Sequence, residues 1–188
     1  MSDMDDAAPQ SFDPDERVAP PLQADDATTL RVFLDYHRDT LRWKCSGLTQ
    51  EQLAQPLPPS DMTLGGMMKH LALVESDWWE SDFVGREYMP PFDAVDWEAD
   101  GDWEWHSAKD DTPQELRALF DEAVRRADAI IDQGLARGGL DARAVRPNPR
   151  TGEPFSLRFI LVHMIEEYAR HNGHADLIRQ SIDGQTGQ

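Results

Sequence analysis

His163-Met-Ile-Glu-Glu-Tyr-Ala-Arg-His-Asn-Gly-His174 is the stretch on which the reading of this chain turns. Glu167 and His171 stand four residues apart, so on a helix they share one face. At about 100° per residue, with His163 at zero, Glu167 falls at about 40° and His171 at about 80°. Ile160 and Ile178 fall at about 60° on the same wheel. The pair therefore straddles the centre of an apolar stripe, with His163 and His174 at its flank and Glu166 pointing outward. Burying an unpaired charge is expensive, so a carboxylate and an imidazole placed there need a partner. A simple Glu–His hydrogen bond is one solution. A metal ion is the other, and side chains at i and i+4 supply the local half of a metal site in a helical bundle.

Working outward, the helix that carries this pair opens at Ser156 and runs to about Ile182, with Gly184 at its end. Upstream, Leu30, Phe33, Leu34, His37, Leu41 and Cys45 recur at helical spacing and stop at Gly47. Thr49 and Gln52 form a capping box for a short helix closed by Pro56-Leu-Pro-Pro59. A long helix begins near Thr63 with Leu64, Met67, Leu71, Val74 and Trp78 on its core face. Residues 86–111 carry Pro90-Pro91, Gly101, a run of acids and Trp97, Trp103 and Trp105. They read as a long crossover anchored by its tryptophans, with its acids in solvent. Thr112-Pro-Gln-Glu115 opens the next helix. That helix has a stripe from Leu116 to Ile131 and ends at Gly134, Gly138 and Gly139. A basic loop with Arg143, Arg146 and Arg150 follows, and no strand signal of comparable quality appears. The fold class expected is all-α, a four-helix bundle with one long crossover connection.

Composition narrows the function classes. Thirty-six Asp and Glu against 18 Lys and Arg give a formal net charge of −18, which repels phosphate backbones and argues against nucleic acid as a partner. Eight of those acids fall in residues 1–26 beside a single Arg17. Residues 1–25 therefore read as an acidic flexible tail, and 26–184 as the folded domain. One cysteine, Cys45, precludes an intrachain disulfide. No apolar run approaches a membrane span, and the start lacks the pattern of a secretory signal. The expectation is a cytoplasmic protein without a membrane partner. The oligomeric state is not readable from the sequence, although such a bundle could expose an apolar face for a homodimer.

A metal needs a ligand from a second helix. His70, inside the buried arc of the Thr63 helix, is the candidate. His37, on the first helix, is a pocket residue or a core histidine with a local partner. Cys45 reads as a buried structural thiol rather than a nucleophile.

Leu161-Val-His-Met-Ile-Glu-Glu-Tyr-Ala-Arg-His-Asn-Gly-His-Ala-Asp-Leu-Ile-Arg179, with Ile182-Asp-Gly184, resembles the signature of the DinB-like (YfiT-like) metalloenzyme superfamily. Gly47-Leu-Thr-Gln-Glu-Gln-Leu53, Pro59-Ser60 and Lys69-His-Leu-Ala72 with Glu75 are similar to a subgroup related to mycothiol-dependent maleylpyruvate isomerases. The resemblance implies an up-down-down-up four-helix bundle. It also implies a divalent metal held by His70, Glu167 and His171, with His163, His174 or His37 as substitutes or supporting residues. Glutamate stands where the commoner pattern has the first histidine of the pair, as in the isomerase-like variant. Zinc, nickel, manganese or iron would suit such a set. The implied activity is transferase or isomerase chemistry on a small electrophile, with mycothiol, bacillithiol or glutathione as co-substrate. Arg143, Arg146 or Arg150 could meet a carboxylate of either molecule. Two readings stay open beside it. One is metal-assisted hydrolysis with His163, His174 or His37 as base. The other is a non-catalytic stress or interaction protein whose metal is structural or absent.

Overall fold

The computed structural model describes residues 12–13 and 17–187. Most of the expected acidic tail, residues 1–11 and 14–16, lies outside the described residues. The rest is mostly helical. Helices α1 (Asp26–Cys45), α3 (Leu64–Glu75), α5 (Pro113–Gly138) and α6 (Leu157–Asp183) are the long elements, joined by the short α2 (Gln50–Leu53) and α4 (Trp103–Ser107). α1 packs chiefly along α6, and α3 chiefly along α5. Leu34, Leu41, Leu64, Met67, Leu71, Phe120, Ile131, Ile160, Leu161 and Met164 meet in one core. None of these helices is long and apolar enough to cross a membrane.

The helix starts follow from their caps. Asp25 accepts from the Thr28 amide, Thr63 from Gly66 and Ser156 from Phe159. Thr49/Gln52 and Thr112/Glu115 close full capping boxes, which satisfy amides that would otherwise lack partners. α6 ends where Gly184 turns left-handed, at φ 80°. Arg179, one turn earlier, donates to the carbonyls of Lys44 and Ser46 and so serves the open end of α1.

Four expectations need correction. Arg143–Pro147 (β1) and Pro154–Ser156 (β2) pair antiparallel, so the basic loop is a small hairpin. Phe33 is 42% exposed rather than in the core. Val74, in the last turn of α3, is only half-buried, and the helix then continues as a π-helical stretch, Ser76–Phe83, in which Trp79 and Phe83 are buried while Trp78 is half-buried. Wider π turns rotate the face that a regular 3.6-residue period would extrapolate. Finally, Gly134 lies inside α5 rather than at its end. A Cβ there would come within 3.0 Å of the Phe83 ring, so the glycine serves close packing.

The core also holds a charged network. Arg38 of α1 donates from Nε and Nη2 to the two oxygens of Glu75 on α3, both at 2.7 Å. Tyr168 of α6 donates to Glu75 Oε1 at 2.7 Å. Arg38 Nη1 reaches Asp128 of α5 at 2.8 Å and Asp35 at 3.0 Å. Arg38, Glu75 and Tyr168 are all 0% exposed. Burial acts first to weaken Arg38 as a base, but the charge and hydrogen bonds of Glu75 outweigh it and hold the guanidinium charged. Burial, then Glu75, pushes the Tyr168 phenol up, so it stays a donor.

Arg38→Ala leaves the Glu75 charge in the core without its counter-ion. It is expected to lower the unfolding free energy by about 3–5 kcal/mol in urea titrations. Replacing Arg38, Glu75 and Tyr168 together by Met, Leu and Phe should recover at least half of that loss. A single-variant loss within the range of a surface substitution would show that the network is not structural.

Candidate metal centre

α3 and α6 bring three of the expected residues to one point. One donor atom each from His70, Glu167 and His171 lies within 4.8 Å of the others. His171 Nε2 is 3.3 Å and His70 Nε2 3.7 Å from Glu167 Oε1. Donors held at about 2.0–2.2 Å from a single ion stand roughly 3–3.5 Å apart, so a small closure of the His70 side would complete such a shell. The donor types, two imidazoles and a carboxylate, suit a borderline divalent cation. His171 is buried and Glu167 and His70 are partly exposed, so the cluster sits at the edge of the core with one side toward solvent.

Residues 86–111 build the roof. Glu104, in α4, is 4% exposed and accepts from His70 Nδ1 at 2.9 Å. That bond assigns a proton to Nδ1 and aims Nε2 at Glu167. The Trp105 ring stacks on His70 at 4.8 Å and lies 6.1 Å from the ring of His171. It fits because Gly66, one turn before His70, has no side chain: a Cβ there would sit 2.6 Å from the indole. Lys69, under the Trp103 ring at 4.4 Å and ion-paired with Asp111, pins the same segment. The sequence reading placed the acids of this run in solvent, and Glu104 is the exception it missed. The available signal was its place between Trp103 and Trp105, two anchors that must face protein.

The other expected residues lie apart from the cluster. His163 packs on Trp78 at 4.4 Å and faces Glu166 at 3.7 Å. His174 lies 5.7 Å from His171 between ring centres, and its buried Nδ1 meets no hydrogen-bond partner. The backbone carbonyl of His37 accepts from Asn172 at 2.9 Å, and burial lowers the basicity of its ring. Glu166 points outward, as the wheel placed it. Arg146 donates to Ser81 and to the Arg86 carbonyl rather than reaching the cluster.

As side chains alone, Glu167 and His70 favour each other's charged form. Hydrogen bonds from His171 first, then His70, keep the Glu167 carboxyl far below the usual carboxylate range. Burial acts to lower His70, but hydrogen bonds and charge from Glu104 and Glu167 overcome it and raise the imidazole. A lowered carboxyl stabilises the fold above its unfolded value of 4.5 and loses that as pH falls through the folded value. A raised imidazole stabilises below its unfolded value of 6.5 and loses that as pH rises. Chelator-stripped protein is therefore expected to gain most from this cluster between pH 4.5 and 6.5. Loss of that maximum in His70→Gln, followed by thermal melts across pH, checks it. An unchanged profile would refute the coupling.

No curated protein matches the sequence. The family model described as Mycothiol-S-transferase matches residues 29–184, from the first turn of α1 to the glycine that ends α6. This bears out the DinB-like resemblance, and the chain belongs to the Mycothiol-S-transferase family.

Proposed function

We propose that the protein is a divalent-metal-dependent S-transferase acting with a low-molecular-weight thiol, mycothiol in the first place, and that His70, Glu167 and His171 are the metal ligands. The observation that carries this reading is the convergence of those three donors from α3 and α6, within a chain of this family. The scaffold in this proposal is the up-down-down-up four-helix bundle, with residues 26–184 as the catalytic unit.

A divalent ion at this point would lower the pKa of a coordinated thiol, so that the sulfur attacks as thiolate near neutral pH. The rest of the work belongs to the chain's own groups. Glu104 fixes the tautomer and tilt of His70. Trp105 covers the two imidazoles and keeps water from one side. Glu167 adds a negative charge that lowers the net charge of the site and favours retention of a cation. The chain's own thiol is no candidate: burial pushes Cys45 up to about 12, and Arg179 and Arg117 offset this only in part. The sulfur nucleophile must then come from a small molecule. Zinc, nickel, manganese and iron all fit two imidazoles and a carboxylate, and elemental analysis decides among them.

Protein purified without a histidine tag is expected to carry close to one divalent ion per chain, or to take one up from Zn²⁺, Ni²⁺ or Mn²⁺. His171→Ala should abolish binding while the helical signal in circular dichroism persists. Full retention of metal in that variant would refute the ligand set. Glu104→Gln keeps the ligands but weakens their orientation, and should loosen metal binding by about 10- to 100-fold.

For the reaction, the metal-loaded protein should conjugate mycothiol to monochlorobimane well above the uncatalysed rate. Bacillithiol and glutathione serve as comparisons. Rates at background with all three thiols would overturn the transferase reading.

A further inference from the structure

Beside the candidate metal centre lies a cavity of about 220 Å³, lined by His70, Leu73, Val74, Asp77, Tyr88 and Trp97. It shares the His70 ring with the metal cluster, so a molecule reacting there has this space for its remaining atoms. Its size is below the roughly 300–1,000 Å³ of pockets that bury a drug-sized ligand, and suits one moiety of sugar or amino-acid size.

The walls are unequal. Leu73, Val74 and the Trp97 indole, which meets Tyr88 edge to face at 6.4 Å, are apolar. Asp77 is the polar end. It stands seven residues after His70, about 10 Å along the helix axis. The Tyr88 hydroxyl faces the Asp77 carboxylate, and Arg146 lies close enough to offset part of its charge. Neither is enough, because burial still raises the Asp77 carboxyl above its ordinary value. A half-buried carboxylate in that condition gains from further hydrogen-bond donors and repels a second carboxylate. Asp82, nearby, adds to the negative field.

We propose that this cavity is a substrate subsite in which Asp77, at the opposite end from His70, receives hydroxyl or ammonium donors and excludes a carboxylate at that position. Tyr88 orients Asp77, and Trp97 covers the apolar or sugar-ring body of the ligand. The proposal rests on the metal-dependent transfer reading above. The donor group belongs either to the thiol or to the electrophile.

Equilibrium binding to the zinc-loaded protein separates these sources, because neither reactant turns over alone. Isothermal titration would compare N-acetylcysteinyl-glucosamine with N-acetylcysteinyl-glutamate, and an amine-bearing with a carboxylate-bearing bimane electrophile. Wild type should favour the donor-bearing member of one pair by about tenfold or more, the scale of one hydrogen bond to a charged group. Asp77→Asn should erase that preference while zinc stoichiometry is retained. Tyr88→Phe should reduce it severalfold, and serves if Asp77→Asn fails to fold. An effect confined to the thiol pair assigns the subsite to the thiol, and one confined to the electrophile pair assigns it to the electrophile. No preference in wild type, or one untouched by both variants, overturns the proposal. Absence of turnover in the presence of intact, Asp77-dependent binding would instead count against the transfer reading alone.

Discussion

The Arg38–Glu75 pair is the constraint on which the other arrangements depend. It draws one residue from α1 and one from α3. Through Tyr168 and Asp128 it then reaches α6 and α5. Two charges out of water gain little net stability from each other, because desolvation takes back much of the attraction. What the network does is forbid alternatives. A slip of α6 by one residue would take the Tyr168 hydroxyl away from Glu75, and a rotation of α3 would strand the carboxylate in an apolar core. Glu167 adjoins Tyr168 in the chain, His171 follows one turn later, and His70 stands five residues before Glu75. The register that satisfies the ion pair is therefore the register that brings the candidate ligands together.

The roof over the site obeys a similar logic with different chemistry. Residues 86–111 contain little regular structure, yet three successive attachments hold them on α3: Trp105 on the notch at Gly66, Lys69 to Asp111 and Trp103, and His70 to Glu104. A glycine inside a helix costs roughly 0.5–1 kcal/mol relative to alanine. At Gly66 that cost creates the space in which an indole lies flat on an imidazole. Local helix propensity and site construction pull in opposite directions here, and the site prevails.

Much of this was legible in the chain itself. The four long helices, their capping residues, the anchored crossover and the His70, Glu167, His171 set are all written in local patterns: period, caps and spacing. The network and the roof are not local. Arg38 and Glu75 are 37 residues apart, and Tyr168 is 93 residues from Glu75. A helical wheel says which face a residue occupies but not what it meets there. Arg38 and Glu75 therefore read as ordinary charged helix residues, and Glu104 as one more acid in an acidic run. The π-helical stretch defeated the wheel for a different reason, since extrapolation at 3.6 residues per turn fails once the turns widen. The β1–β2 hairpin was hidden by its brevity and by the Pro and Arg content of its strands.

Cys45 has a meaning beyond its place in the core. On the proposed function the protein works among reactive small thiols and, as turnover and oxidation proceed, among their disulfides. Any accessible protein thiolate there would exchange into mixed disulfides with the co-substrate. The chain has one cysteine, with its sulfur donating toward the Leu64 carbonyl at the start of α3 and burial holding it protonated. The polypeptide is thus silent toward the thiol–disulfide exchange that surrounds the chemistry it is proposed to carry out, and oxidation of the small-thiol pool should leave Cys45 without a mixed disulfide.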